Sequence, residues 1–173
     1  TAPAEAAPGG ETSALAALAG EMRDGAVEVL VVLGSNPVYA APADLDFAKA
    51  LDRVPLRIHH GLYLDETAER CHWHLPASHP LESWGDLRAA DGTASIVQPL
   101  IAPLYNTLSE IEVLAAFAEG DQGGYDVLRA HWEGVLGSDG FEARWNRALH
   151  DGVVAGTAFP EKAVKVVPGG WAK

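Results

Sequence analysis

An α/β fold built on a parallel sheet is predicted by three observations. A valine-rich apolar run, VEVLVVL over residues 27–33, stops on a glycine; a second strand, VPLRIHH, begins at Val54 or Leu56; and a short helical pattern through Leu45, Ala48 and Leu51 lies between them. The first run, with only Glu28 charged, fits a strand covered on both faces. Strand, helix, strand with short connections is the βαβ unit, whose crossover is right-handed.

Leu15, Leu18 and Met22 are spaced three and four apart behind Thr12 or Ser13, with Gly25 beyond the last turn, so an amphipathic helix is expected ahead of the first strand. After that strand comes GSNP, Gly34 to Pro37, and then Asp44 and Asp46 at the start of the short helix, where acidic side chains complement the dipole. The segment LDETAERCHWHLP reads as one helical turn and then a short strand from Cys71 to Leu75, ended by Pro76. From His79 to Pro103 the chain is rich in Gly, Pro, Asp and Trp, with a β pattern only at Thr93 to Val97, which predicts a long structured loop. The last third is helical. Ser109 and Glu112 form a capping box with Leu108 and Val113 as its staple, and Gly120 ends that helix. Tyr125, Leu128, Trp132 and Val135 mark a second helix, and Asp139 with Glu142 repeats the cap signature before Phe141, Trp145 and Leu149.

At 173 residues, 48% of them hydrophobic, the chain suits one domain with a real core. The expected organisation is a flexible linker over 1–10, an α/β domain over 11–105, its helical extension over 106–160 and a loose tail over 161–173. The Ala- and Pro-rich start without an initiator Met suggests a fragment of a longer chain. A net charge of -12 without a basic cluster argues against nucleic acid as a partner. No apolar stretch approaches the ~20 residues that span a bilayer, so no direct membrane insertion is expected. The single cysteine, Cys71, leaves no internal disulfide and no four-cysteine metal or iron-sulfur site in this segment.

Gly34 sits where open α/β sheets gather ligands, and a glycine lets backbone and ligand approach closely. GSNP is neither a dinucleotide fingerprint nor a Walker loop. Its plainer reading is a strand exit in which Asn36 bonds the local backbone and Pro37 fixes the turn. The densest set of reactive side chains is Cys71, His72, His74, His79, Glu82 and Asp86. Strand alternation separates Cys71 from His72 as nucleophile and base, while His72, His74 and either His79 or Glu82 are candidates for a metal site or a metal-dependent hydrolase without a recognised motif. His59 and His60 end the second strand, and alternation allows at most one of them to line a given pocket. Ser35 is not in a nucleophile elbow, and Glu110 and Glu112 read as helix-start residues. Trp84, Trp132 and Trp145 read as core or interface aromatics.

Taken together, VLGSNPVYAAPADLDFAKAL, GLYLDETAERCHWHLPASHPLESWGDLRAADGTASIVQPLIAPLY and RALHDGVVAGTAFP resemble the molybdopterin oxidoreductase superfamily, which includes dimethyl sulfoxide reductase. Within it the pattern is most similar to the large iron-sulfur subunit of bacterial alternative complex III, over roughly residues 11 to 160. The resemblance implies that Gly34, Ser35, Asn36 and Pro37 correspond to the turn that helps hold the guanine end of molybdopterin guanine dinucleotide. Glu66, Thr67, Ala68, Leu75, Pro76, Glu82 and Gly85 match a second segment. Cys71 and His72 replace the Ala-Asp common in the superfamily, as in the alternative complex III branch, which keeps the fold and has lost the cofactor. The same resemblance implies a scaffold in a quinol-oxidising electron-transfer complex on the periplasmic face of the cytoplasmic membrane. It implies no cofactor in this segment and no catalytic or metal-binding residue, with iron-sulfur clusters elsewhere in the parent. The implied partners are a multihaem cytochrome and a quinol-oxidising membrane subunit. The alternative is the dinucleotide-gripping fragment of a catalytic molybdenum oxidoreductase.

Overall fold

The computed structural model describes residues 10–118, 120, 122–161 and 163. The linker expected over 1–10 and the tail expected over 161–173 therefore lie outside the described residues, apart from Gly10, Glu161 and Ala163. The remainder is a mixed α/β structure with a parallel three-stranded sheet and six helices, as the sequence predicts.

Helix α1 spans Gly10–Arg23, two to three residues earlier than the cap expected at Thr12 or Ser13. Strand β1, Val29–Leu33, leads into the turn at Gly34, and α2, Pro37–Ala40, comes next. Asp46 then adopts a left-handed conformation, φ 44°, between a 3-10 turn at Ala43–Leu45 and helix α3, Phe47–Leu51. Strand β2, Leu56–Gly61, pairs in parallel with β1 from Val29↔Leu56 to Leu33↔His60. Strand β3, Trp73–Pro76, pairs in parallel with the other side of β2, from Ile58↔Trp73 to Gly61↔Pro76. The strand begins two residues later than the sequence suggests. The order β1-β2-β3 leaves β1 at an edge, so only Val32 in it is buried and Val29 is 52% exposed. The expected cover on both faces is not realised among the described residues.

Residues 79–103 are not simply a loop. They contain β4, Gly85–Arg88, and β5, Ala94–Val97, paired as an antiparallel hairpin that β6, Val153–Val154, extends on the far side of β5. Helices α4, Glu110–Ala118, α5, Gly124–Leu136, and α6, Phe141–Asp151, lie between β5 and β6. The Ser109–Glu112 box forms: Glu112 Oε2 accepts the Ser109 N–H at 2.8 Å and Ser109 Oγ accepts the Glu112 N–H at 3.3 Å. The second box does not form. Gly140 caps α6 in a left-handed conformation without a side-chain bond, and Glu142 pairs with Arg129 instead.

Two cores result. In one, Ala19 and Met22 of α1 pack on Phe47, Ala50 and Leu51 of α3 and on Val54. In the other, Trp132, Trp145, Phe141 and Leu128 pack on Ala94, Ile96 and Val154 of the antiparallel sheet. Trp132 and Trp145 are 2% and 1% exposed, and each indole N–H finds a partner, Asp86 at 2.9 Å and Tyr125 Oη at 3.2 Å. Those bonds let large aromatics be buried without an orphaned donor.

Candidate functional site

The carboxyl ends of β1, β2 and β3 open onto a cleft of about 730 Å³. Gly34 begins it. Its φ of +59° is the left-handed conformation that glycine adopts without strain, and its N–H donates to His60 C=O at 2.9 Å, extending the ladder by one bond.

The next residues hold the turn. Asn36 caps α2: its Oδ1 accepts the Tyr39 N–H at 3.3 Å and the Thr67 hydroxyl at 2.8 Å, while its Nδ2 donates to Glu66 Oε2 at 2.7 Å. Pro37 occupies the first helical position, where a missing N–H costs nothing. Thr67 is fully buried and also accepts the Val38 N–H at 3.1 Å. Asp65 Oδ1 caps the next turn, accepting the N–H groups of Thr67 at 3.1 Å and Ala68 at 2.9 Å. The two segments singled out by the resemblance, GSNP and Glu66-Thr67-Ala68, thus meet through one side chain. The Asn36 bond is the main cause holding the Glu66 carboxyl below its ordinary value.

His59 and His60 both border the cleft, against the expectation that only one would. They lie where the strand ends, and both are buried. His60 Nε2 lies 2.8 Å from Leu108 C=O, so that nitrogen carries the proton, and buried Nδ1 has no partner. His59 Nε2 faces Ser35 C=O at 3.3 Å and its Nδ1 meets His74 Nδ1 at 2.9 Å, with the rings stacked at 5.1 Å. Ser35 therefore enters the site through its backbone. Burial first, and the neighbouring His59 second, push the His74 pKa down.

The metal candidates do not converge. His72 Nδ1 accepts the Arg57 N–H at 3.1 Å and His79 Nδ1 accepts the Leu81 N–H at 3.1 Å, each away from His74. Glu82 accepts the His79 and Leu104 N–H groups. Among the described residues no three His, Cys, Asp or Glu side chains gather as a metal-binding group. Burial raises the Cys71 pKa, which disfavours the reactive thiolate.

Sequence reasoning missed the third wall. Leu108 N–H donates to Pro76 C=O at 3.2 Å, and Leu108 C=O accepts from Ser78 N–H at 2.9 Å, so this segment joins the edge of the sheet beside β3. Helix α4 therefore starts over the cleft, and its first residue, Glu110, lays its carboxylate against Gly34: a Cβ on that glycine would overlap Oε1. Asp65 and Asp86 stand on other walls. Among the described lining residues there is no Lys or Arg. A dinucleotide diphosphate here would meet three carboxylates and no Lys or Arg, and Asn36 is already committed to the fold. The residues present fit that group poorly.

No family model matches the chain. In sequence it is 32% identical over 142 residues to the menaquinone reductase molybdopterin-binding-like subunit of Nitratidesulfovibrio vulgaris, an alignment covering 80% of this chain and 20% of that protein. The chain thus spans about a fifth of that relative's length. In fold it is similar to acetylene hydratase from Pelobacter acetylenicus, with a TM-score of 0.52 at 21% identity over 59% of this chain and 15% of that one. With GSNP at the carboxyl edge of a parallel sheet and tied to Glu66-Thr67, these likenesses place the chain in the molybdopterin oxidoreductase superfamily, the group that includes dimethyl sulfoxide reductase.

Proposed function

We propose that this segment is a non-catalytic scaffold of a membrane-associated, quinone-linked electron-transfer complex of the alternative complex III type, and that it holds no pterin cofactor. The observation that carries the reading is the cleft at Gly34, whose charged walls are Asp65, Asp86 and Glu110. Its single cysteine cannot ligate a cluster by itself, so the electrons travel elsewhere in the parent. The relative's name states menaquinone reduction for that protein, whereas alternative complex III oxidises quinol; a scaffold serves either direction. In this reading the segment stands on the periplasmic face beside a multihaem cytochrome and a membrane subunit. No helix among the described residues is long and apolar enough to cross a membrane, so attachment would run through those partners. Molybdenum analysis by mass spectrometry together with pterin fluorescence, on the purified protein and its parent complex, tests the proposal. Neither should be found in stoichiometric amount in association with these residues; a stoichiometric pterin held by Gly34 to Pro37 overturns it.

The left-handed glycine turn at Gly34, at the carboxyl edge of the parallel sheet, and the words molybdopterin-binding-like in the relative's name, favour a second reading. In it Gly34, Ser35, Asn36 and Pro37 still hold molybdopterin guanine dinucleotide for a catalytic parent. A guanine nucleotide would then stabilise the protein by about 2.7 kcal/mol at a hundredfold excess over its dissociation constant.

A further inference from the structure

We infer that Glu110 is a built-in stopper of the Gly34 turn, an internal carboxylate that occupies the approach a diphosphate would need. The inference rests on the scaffold reading and names the residue that enforces it.

The glycine leaves a side-chain-sized space at a left-handed turn, and Glu110 Oε1 fills that space. The backbone that carries the carboxylate is fixed beside the turn. Leu108 is bonded to Pro76, Ser78 and the buried His60, Ser109 is locked into the capping box, and Glu110 is the next residue. The helix start can leave the cleft only by breaking these bonds. No Lys or Arg among the described residues forms an ion pair with Glu110, so no side-chain cation offsets its charge where an anion would enter. Asp65 and Asp86 cannot relieve this, since both are acidic and already accept hydrogen bonds, Asp65 from backbone N–H groups and Asp86 from Trp132. Anion rejection at this turn is therefore charge exclusion added to steric filling, and removing one side chain lifts the nearest part of both.

Calorimetric titration of guanosine diphosphate, inorganic pyrophosphate and guanosine into the full chain and its Glu110→Ala and Glu110→Gln variants tests the inference at low ionic strength. Glu110 is solvent-exposed at a helix start, and Glu110→Gln keeps its shape, so folding of at least that variant is secured. The wild type is expected to give no heat with either diphosphate at millimolar concentration. Glu110→Ala should bind both diphosphates at least tenfold more tightly, Glu110→Gln should fall between, and guanosine should not distinguish the three proteins. Equal affinity of wild type and variants for a diphosphate overturns the stopper. So does failure of both variants to gain binding, an outcome that leaves the scaffold reading standing, because that reading falls only to bound pterin.

Discussion

The amide nitrogen of Asn36 donates to the Glu66 carboxylate across 30 residues of sequence, at 2.7 Å, while the amide oxygen accepts from Thr67 and from the start of α2. One side chain thereby joins the exit of β1 to the segment after β2. Asn36→Ala removes three hydrogen bonds, one of them the α2 helix cap, for an expected loss of about 1 to 3 kcal/mol in urea unfolding. Ser35→Ala should change stability by less than about 0.5 kcal/mol, since His59 uses only the Ser35 carbonyl. Equal effects of the two substitutions would show that Asn36 does not hold the turn.

Local pattern made part of this legible. The capping box at Ser109, the strand exit at Gly34 and the aromatic faces of α5 and α6 each arise from spacing within a few residues, and each is present. Spacing does not carry which distant segment lands on which edge. Glu110 reads as a helix start from sequence and is one, yet its place against Gly34 depends on Leu108 pairing beside β3, a contact set by the whole path between. The hairpin β4–β5 was hidden for a related reason: Gly85 to Arg88 is a strand mostly exposed to solvent, stabilised by its partner more than by its own composition. His59 and His60 defeat simple alternation because they end the strand, where the cleft wraps around both.

Burial of His74, with His59 beside it, makes stability depend on pH near neutrality. Burial and the adjacent His59 depress the His74 pKa in the folded protein below its ordinary 6.5. Between those two values the unfolded chain takes up a proton that the folded one refuses, so this contribution is present above pH 6.5 and is lost as pH falls below it. Stability by urea unfolding should decline from pH 7 toward pH 5, and His74→Gln should flatten that decline. An unchanged slope in the variant would remove His74 as its source.

A second acid limb belongs to Glu112. Partial burial pushes its carboxyl upward, but hydrogen bonds from Ser109 and Gly124 outweigh that and hold it below the ordinary 4.5. Its stabilisation is therefore present above pH 4.5 and lost as pH falls through the lower folded value. Glu112→Gln should cost about 0.5 to 2 kcal/mol at pH 7 and less at pH 3, read as the change in urea midpoint at each pH. A cost that is the same at both would mean the box does not depend on the charge.

In the antiparallel core, Trp145→Ala should destabilise by about 3 to 5 kcal/mol, because a nearly fully buried indole leaves a cavity among Phe141, Leu149 and Tyr125. Trp132→Phe keeps most of the packing and loses only the bond to Asp86, for about 1 kcal/mol. Thermal unfolding that ranks the two the other way would contradict this placement of the core.

The contact between Gly34 and Glu110 can be measured without any ligand. Gly34→Ala puts a Cβ in a left-handed conformation, at about 1 to 2 kcal/mol, and also into the Glu110 carboxylate. Glu110→Ala by itself removes an exposed side chain and should change stability by less than about 0.5 kcal/mol. In the double variant the collision is gone and only the backbone strain remains. The two losses should therefore be non-additive by about 0.5 kcal/mol or more, with the double variant more stable than the sum of the single ones predicts. Strict additivity in urea unfolding would show that the carboxylate offers no resistance to a Cβ at Gly34, since strain at Gly34 alone is blind to what stands at position 110.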